Sequence, residues 1–355
     1  MSGLPTYQDI PLPWQMEAWH TLSERLAAGR LAHGLLITGQ GGLGKGLFAT
    51  AFARLALCRQ PREGRACGAC HGCAQFAAGS HPDYRYVSFE ERDGKAGEEG
   101  QLKQNISVGQ IRELIVDLQL RSHQGGRKVS VIEPAEGMNP AAANSLLKTL
   151  EEPPADTLIL LVSSAPGLLP ATIRSRCQSV AISTPESTTA LAWLQARIAR
   201  EDWPVLLGLA GGAPLAALDL ADSDIASRRK AFFEGLLRLR AGQANPVMLA
   251  VQPKERYPEL LQLLWSFTSD LILIRSGGLT RVVNRDQLPL LQKAAEGIHL
   301  RSLYAFLDRI QAVLQALDSS ANRELAFAVL LSDWAGGLDD IKGSPLAAND
   351  AWGSR

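Results

Sequence analysis

The sequence predicts an α/β fold, with a parallel sheet flanked by helices in the first half and only helices after it. Two runs, Val129-Ser130-Val131-Ile132 and Leu158-Ile159-Leu160-Leu161-Val162-Ser163, are almost continuously apolar. That is the pattern of strands covered on both faces, as parallel strands are. Amphipathic segments alternate with such runs up to Ile182, the order that builds strand–helix–strand units. Beyond Ile182 no strand pattern appears.

In chain order, the strands are expected at His33–Thr38, Asp83–Ser88, Lys128–Ile132, Leu158–Ser163 and Gln178–Ile182. Helices are expected at Gly44–Leu57, Val108–Leu120 and Pro140–Glu151, the last stopped by Pro153-Pro154, which cannot continue a helix. The charged, Gly-containing stretch Phe89–Gln104 reads as an exposed loop. Thr184-Pro185-Glu186 resembles a helix start, with Thr184 as cap and Pro185 in the first turn. A small helical unit follows, broken at Gly211-Gly212. Long helices run from Ile225 to Ala335, one of them with Leu303, Phe306, Leu307, Ile310, Leu314 and Leu317 at helical spacing. The domain expectation is residues 1–183 for the sheet domain, 184–224 for a helical lid, 225–335 for an all-α collar and 336–355 for a polar tail. No internal repeat is evident.

A chain of 355 residues with 46% apolar and 20% charged residues can build sizeable cores and is not a disordered composition. Lys+Arg and Asp+Glu balance at 36 each, which excludes a global basic field for nucleic acid. The start Met1-Ser2-Gly3-Leu4-Pro5 lacks the pattern of a signal peptide. No apolar run reaches the roughly 20 residues that span a bilayer. A cytoplasmic protein without a membrane partner is expected.

Gly39-Gln40-Gly41-Gly42-Leu43-Gly44-Lys45-Gly46 has the spacing G-x-x-x-x-G-K of a phosphate-binding loop. It follows a strand and opens a helix, the context that makes a bare Gly-rich turn the poorer reading. Gly39 and Gly44 let backbone N–H groups turn inward at a helix N-terminus, and Lys45 would reach β- and γ-phosphates. Gly46 stands where a Ser or Thr hydroxyl should hold Mg²⁺. A second loss lies at Val131-Ile132-Glu133-Pro134: Glu133 could contact a metal indirectly, but Pro134 replaces the expected water-positioning carboxylate. Glu136 reads as a solvated surface group. Weak or absent ATP binding and no efficient hydrolysis are expected.

Four of the five cysteines, Cys58, Cys67, Cys70 and Cys73, follow the spacing C-x8-C-x2-C-x2-C. In a cytosolic chain this points to a closed, structural Zn²⁺ site, with free thiols or a redox pair as the alternative. His71 reads as a bystander and Cys177 as a buried free thiol.

Lys148-Thr149-Leu150-Glu151-Glu152-Pro153-Pro154, together with Thr172-Ile173-Arg174-Ser175-Arg176-Cys177, resembles the AAA+ clamp-loader family. The cysteine insertion, and Ala142-Ala143-Asn144-Ser145-Leu146-Leu147-Lys148, are similar to its bacterial branch. In the collar the resemblance rests on Asn322-Arg323-Glu324-Leu325. It implies an AAA+ P-loop domain, lid and collar, and a non-motor subunit of the DNA polymerase III clamp loader. Implied partners are the gamma/tau motor subunits and the delta subunit, with the sliding clamp and primed DNA reached through the complex. Arg176 would then be an arginine finger acting in trans on a neighbour's ATP. Ser164 falls near the family's polar sensor residue. The second sensor, an Arg in the family, is missing from Gly212-Ala213-Pro214-Leu215-Ala216. Two other readings remain: an active motor ATPase with an unorthodox metal ligand, and a zinc-dependent nucleic-acid module using Arg59, Arg62 and Arg65. Gly46, Pro134 and the absent sensor oppose the first; sparse aromatics oppose the second.

Overall fold

The structure is a computed structural model that describes residues 5–90, 105–316 and 322–338. Residues 91–104 of the expected loop, Leu317 and the tail from residue 339 lie outside the described residues. The chain divides into two compact units: Met1–Ile198 with Gly212–Leu218, and Ala199–Gly211 with Asp219–Arg355.

The first unit begins with helix α1 (Met16–Ala27), strand β1 (Gly34–Thr38) and helix α2 (Lys45–Leu57). It continues with α3 (His71–Ala77), β2 (Tyr84–Val87), α4 (Val108–Gln119), β3 (Lys128–Ile132) and α5 (Pro140–Glu151). Then come β4 (Thr157–Ser163), α6 (Ala171–Arg174), β5 (Gln178–Ala181) and α7 (Ser187–Arg197). The strands form one parallel sheet in the order β2-β3-β4-β1-β5, the α/β class and AAA+ type of arrangement expected. Leu36 pairs with Leu161 and Ile132 with Leu161 in the adjoining register.

Because side chains alternate along a strand, each central strand feeds two cores. Leu36, Ile132, Ile159 and Leu161 pack with Ile111, Leu114, Leu146 and Leu150 of α4 and α5. The opposite face meets α2, where Phe48 and Phe52 stack at 6.4 Å and Trp19 of α1 lies edge-on to both. α4 starts at a capping box, with the Ser107 Oγ accepting from the Gln110 N–H. Asn139 caps α5 in the same manner and Pro140 occupies its first turn.

One expectation at the sheet's exit is corrected. α7 begins at Ser187 with Glu186 at its cap position, and no side chain caps it. Thr184 is not the cap; it lies against Gly212, where a Cβ would strike its methyl group. Local sequence favoured Thr184-Pro185, but packing carries the chain two residues further before it coils.

The second unit holds α8 (Trp203–Leu209), α10 (Ile225–Arg240), α11 (Pro246–Ala250), α12 (Tyr257–Arg275), α13 (Leu288–Ala295), α14 (Leu300–Ala316) and α15 (Arg323–Ala335). Helix α9 (Pro214–Ala221) contributes residues to both units. Rings of Phe233, Phe267, Trp334 and Phe306 pack in sequence at centroid distances of 4.9, 5.2 and 6.2 Å. The Trp334 indole N–H donates to the Leu236 carbonyl at 2.8 Å, so its one polar atom is satisfied in the core. Beside the rings runs a polar seam. The fully buried Asp270 accepts from the Val283 and Asn284 N–H groups at 2.8 and 2.9 Å, and Arg229 donates to Asn284 at 2.7 Å. These bonds supply partners to the Asp270 carboxylate and the Asn284 side chain. Asn322 caps α15 through its side chain.

Trp334→Ala is expected to destabilise this unit by about 3–5 kcal/mol, the range for emptying a buried aromatic site. Urea unfolding of the wild-type and variant chains followed by circular dichroism measures it. A shift within error would mean the rings are not the core.

Candidate functional site: a closed phosphate loop, an arginine at the opposite sheet edge and a four-cysteine cluster

β1 ends at Thr38, and the loop that follows turns into α2 at Gly44, whose φ of 75° only glycine adopts without strain. Own-chain groups occupy the carbonyl side of this loop. The Trp14 indole donates to the Leu43 carbonyl at 3.0 Å, and the Gln15 amide donates to the Leu43 and Gly44 carbonyls at 2.9 and 3.2 Å. The Leu215 N–H donates to the Gly42 carbonyl at 3.1 Å. A Cβ on Gly42 would collide with Ala216, so the segment that lacks the second-sensor Arg is packed directly on the loop.

Lys45 is only 5% exposed. Its ammonium donates to the Gln40 carbonyl at 2.7 Å and to the Ser164 hydroxyl at 2.9 Å. Burial pulls its pKa below the ordinary lysine value, and the nearby Glu133 and Glu136 carboxylates oppose that shift. Ser164, expected at the end of the fourth strand, therefore touches the loop lysine.

Glu133 decides the chemistry at position 46. Its carboxylate accepts from the Tyr86 hydroxyl at 2.6 Å and sits against Gly46, where any Cβ would collide with both carboxylate oxygens. The absent hydroxyl and the carboxylate thus compete for one volume. The reading of Glu136 is corrected: it is half-buried, and Oε1 accepts from the Ser164 and Ala165 N–H groups at 2.9 and 3.1 Å. The chain does not carry it away after Pro134, because a short 3-10 turn at Ala135–Gly137 brings it back toward the end of β4.

Arg176 lies elsewhere. Gly34, the first residue of β1, has the Arg176 carbonyl, Cys177 Sγ and Leu150 within contact range of where its Cβ would stand. The phosphate loop leaves the other end of the same strand. Five residues at about 3.3 Å each separate the two by about 16 Å along the sheet. The guanidinium is paired within the chain. Its Nε donates to Glu151 Oε1 at 2.8 Å, Nη2 pairs with the same carboxylate, and Nη1 donates to the Thr172 carbonyl at 2.9 Å. Cys177 is half-buried against the core, and burial pushes its thiol up to about 11.

The four expected cysteines converge. Their Sγ atoms all lie within 4.8 Å of one another, with Cys58–Cys70 at 3.9 Å and Cys67–Cys73 at 4.0 Å. Four thiolates at about 2.3 Å from one tetrahedral ion stand about 3.8 Å apart, so the set fits a closed metal site. Backbone N–H groups of Cys67 and Cys70 point at Cys58 Sγ and Cys67 Sγ, at 3.2 and 3.3 Å. The Ala69 and Cys70 N–H groups lower the Cys67 thiol to about 6, while burial pushes Cys58 and Cys73 up. Cys58 closes α2 and Cys70 opens α3, so an ion here would join two helix ends. His71 is exposed and outside the set. Arg59 donates to the Gln124 carbonyl at 2.7 Å and Arg65 to the Ile10 carbonyl at 3.4 Å, which engages two of the three local arginines in the fold.

Residues 14–186 match the family model described as DNA polymerase III, delta subunit, and residues 223–336 match the model of its C-terminal part. A DNA polymerase III subunit delta' from Pseudomonas aeruginosa is 39% identical over 66% of this chain and 69% of its own. The subunit delta' of Yersinia pestis is 34% identical over 91% of this chain and 94% of its own. The chain belongs to the delta-prime family of DNA polymerase III. The subunit delta' of Escherichia coli K12 is similar over nearly the same extent, at 33% identity, 90% of this chain and 93% of its own. In this delta-prime family member the loop carries Gly39, Gly44 and Lys45, and the Glu133 carboxylate lies beside Gly46. Tyr86 and Gln15 were not singled out by motif spacing, and Glu136 was named only as a solvated group. Only Tyr86 carried a signal, as an aromatic on a short strand preceding a charged loop.

Gly46→Ser is expected to displace the Glu133 carboxylate, the far end of a flexible side chain, and to lower stability by no more than about 1 kcal/mol. The loss should shrink when Glu133 is also changed to Ala. Thermal melts of the two singles and the double variant measure the coupling, and purely additive losses would separate the two positions.

Proposed function

We propose that this chain is a non-motor, stator-like subunit of the DNA polymerase III clamp loader, acting in the cytoplasm during DNA replication. It helps place the sliding clamp on primed DNA through its partners, the gamma/tau motor subunits and delta. It hydrolyses no ATP itself and supplies Arg176 in trans to a neighbouring motor's site. The reading is supported above all by one observation: the phosphate loop and Arg176 stand at opposite ends of the same strand. An arginine at that edge is out of reach of its own loop and is placed for another chain's nucleotide. There its planar fork would meet charge that builds on the transferring phosphoryl group.

The loop's geometry supports the absence of turnover. Lys45 is already engaged by Gln40 and Ser164, Gly46 offers no hydroxyl, and Glu133 fills the volume beside it. Glu133 could still contact a metal indirectly, so the case against an active motor rests on Gly46, Pro134 and the absent second-sensor Arg. The cysteine set would hold a structural Zn²⁺, with Cys58, Cys67, Cys70 and Cys73 as ligands and no open position for catalysis. No single helix among the described residues is long and apolar enough to cross a membrane.

Purified chain is expected to show no Mg²⁺-ATP hydrolysis and weak or no binding, with Lys45→Ala as the control. Lysine-dependent turnover would sink the stator reading. In the reassembled complex, Arg176→Ala is expected to lower the DNA- and clamp-stimulated ATPase severalfold, and an unchanged rate would remove the finger. Metal analysis of the purified chain is expected to find close to one Zn²⁺ per molecule, lost on Cys→Ser replacement within the set.

A further inference from the structure

We propose that Glu151 is an intramolecular latch on Arg176, holding the finger in a parked position until a partner's nucleotide takes it over. The inference rests on the reading of Arg176 as a finger and goes beyond it by naming the residue that controls its release.

Three directions of the guanidinium are occupied within the chain. Nε and Nη2 face the Glu151 carboxylate, while Nη1 is held by the Thr172 carbonyl and, at 3.3 Å, by the Ser175 hydroxyl. The pairing with Glu151 engages two N–H groups on one edge of the fork, and both meet a single oxygen, Oε1. An arginine that serves a nucleotide through this edge must first leave Glu151. A phosphate can offer that edge two oxygens, the bidentate pairing that the carboxylate does not make here, so the exchange is decided by charge and by the number of acceptors. A terminal phosphate carries more negative charge than a carboxylate, so it wins when the neighbouring site is full. With that site empty, the carboxylate wins.

The latch is also positioned to be released. The Arg176 side chain is 33% exposed and that of Glu151 48% exposed, so the pair is open to solvent and to an incoming surface. An ion pair of that exposure is weak enough to exchange without unfolding anything. The two residues come from elements with different support. Glu151 is the last residue of α5, anchored by Leu146 and Leu150 in the core, and its position is fixed by a whole helix. Arg176 follows the four-residue helix α6, next to the buried Ile173. The carboxylate is therefore the fixed half and the arginine the movable half, as a finger requires.

The test uses the reassembled clamp-loader complex with wild-type chain, Glu151→Gln, Arg176→Ala and the double variant. The stimulated ATPase is measured across ATP concentration. Glu151→Gln keeps the shape and removes the charge. It is expected to lower the half-saturating ATP concentration about two- to fivefold, the range for a part-exposed ion pair. Maximal rate should change little, and the effect should vanish in the Arg176→Ala background. Thermal melts of the isolated chains should be alike, which separates a latch from a stability defect. If Arg176→Ala has no effect on the complex, the finger and the latch both fall. If Arg176→Ala is impaired while Glu151→Gln matches wild type, or is impaired in maximal rate as Arg176→Ala is, the finger stands and the latch is overturned.

Discussion

The ammonium of Lys45 is buried at the end of the sheet, and a buried cation must be given acceptors or lose its charge. Three pieces of chain meet that demand. The loop itself offers the Gln40 carbonyl, the segment after β4 offers Ser164, and Glu133 and Glu136 after β3 surround the site with negative charge. Glu136 in turn fixes the backbone of Ser164 and Ala165. The arrangement depends on where β1, β3 and β4 end. β1 and β4 end level, with Thr38 opposite Ser163, and β3 ends with Ile132 opposite Leu161, two residues before the end of β4. A slip of one residue would turn every side chain of a strand to the wrong face and take Ser164 off the lysine.

The same strands separate two clusters of polar side chains. Loops at their C-terminal ends make the phosphate loop and its carboxylates, while residues at their N-terminal ends bring Arg176, Glu151 and Gly34 together. Parallel pairing makes this separation obligatory, because every strand points the same way. Between the two ends the sheet is packed by α2 on one face and by α4 and α5 on the other, so each end is held by its own loops.

The cysteine cluster solves a different problem. The segment between α2 and α3 is short of apolar residues and carries backbone in left-handed conformations at Gly64 and Gly68. Such a segment gains little from burial. Four sulfur atoms at the spacing of a tetrahedral site give it a centre, and the N–H groups of Cys67 and Cys70 orient the thiolates. The cluster joins the end of one helix to the start of the next, which ties the insertion to the α/β core.

The sequence alone determined the sheet strands to within a residue or so at each end, because burial on both faces leaves nearly unbroken apolar runs. It also anticipated the Gly-rich turn between β1 and α2 and the convergence of four cysteines, whose members are near neighbours in the chain. Long-range neighbours were not legible. Nothing local says that Glu133 fills the space beside Gly46, that Tyr86 holds it there, or that Glu136 returns to the β4 loop. The start of α7 was misread for the same reason: Thr184 had the local features of a cap, but its contact with Gly212, distant in sequence, governs that turn. Nor does sequence say that Arg176 pairs with Glu151, 25 residues away. Periodicity and spacing record what a residue does with its near neighbours. Only the fold brings together groups from different strands, and there the competition for one volume or one guanidinium is decided.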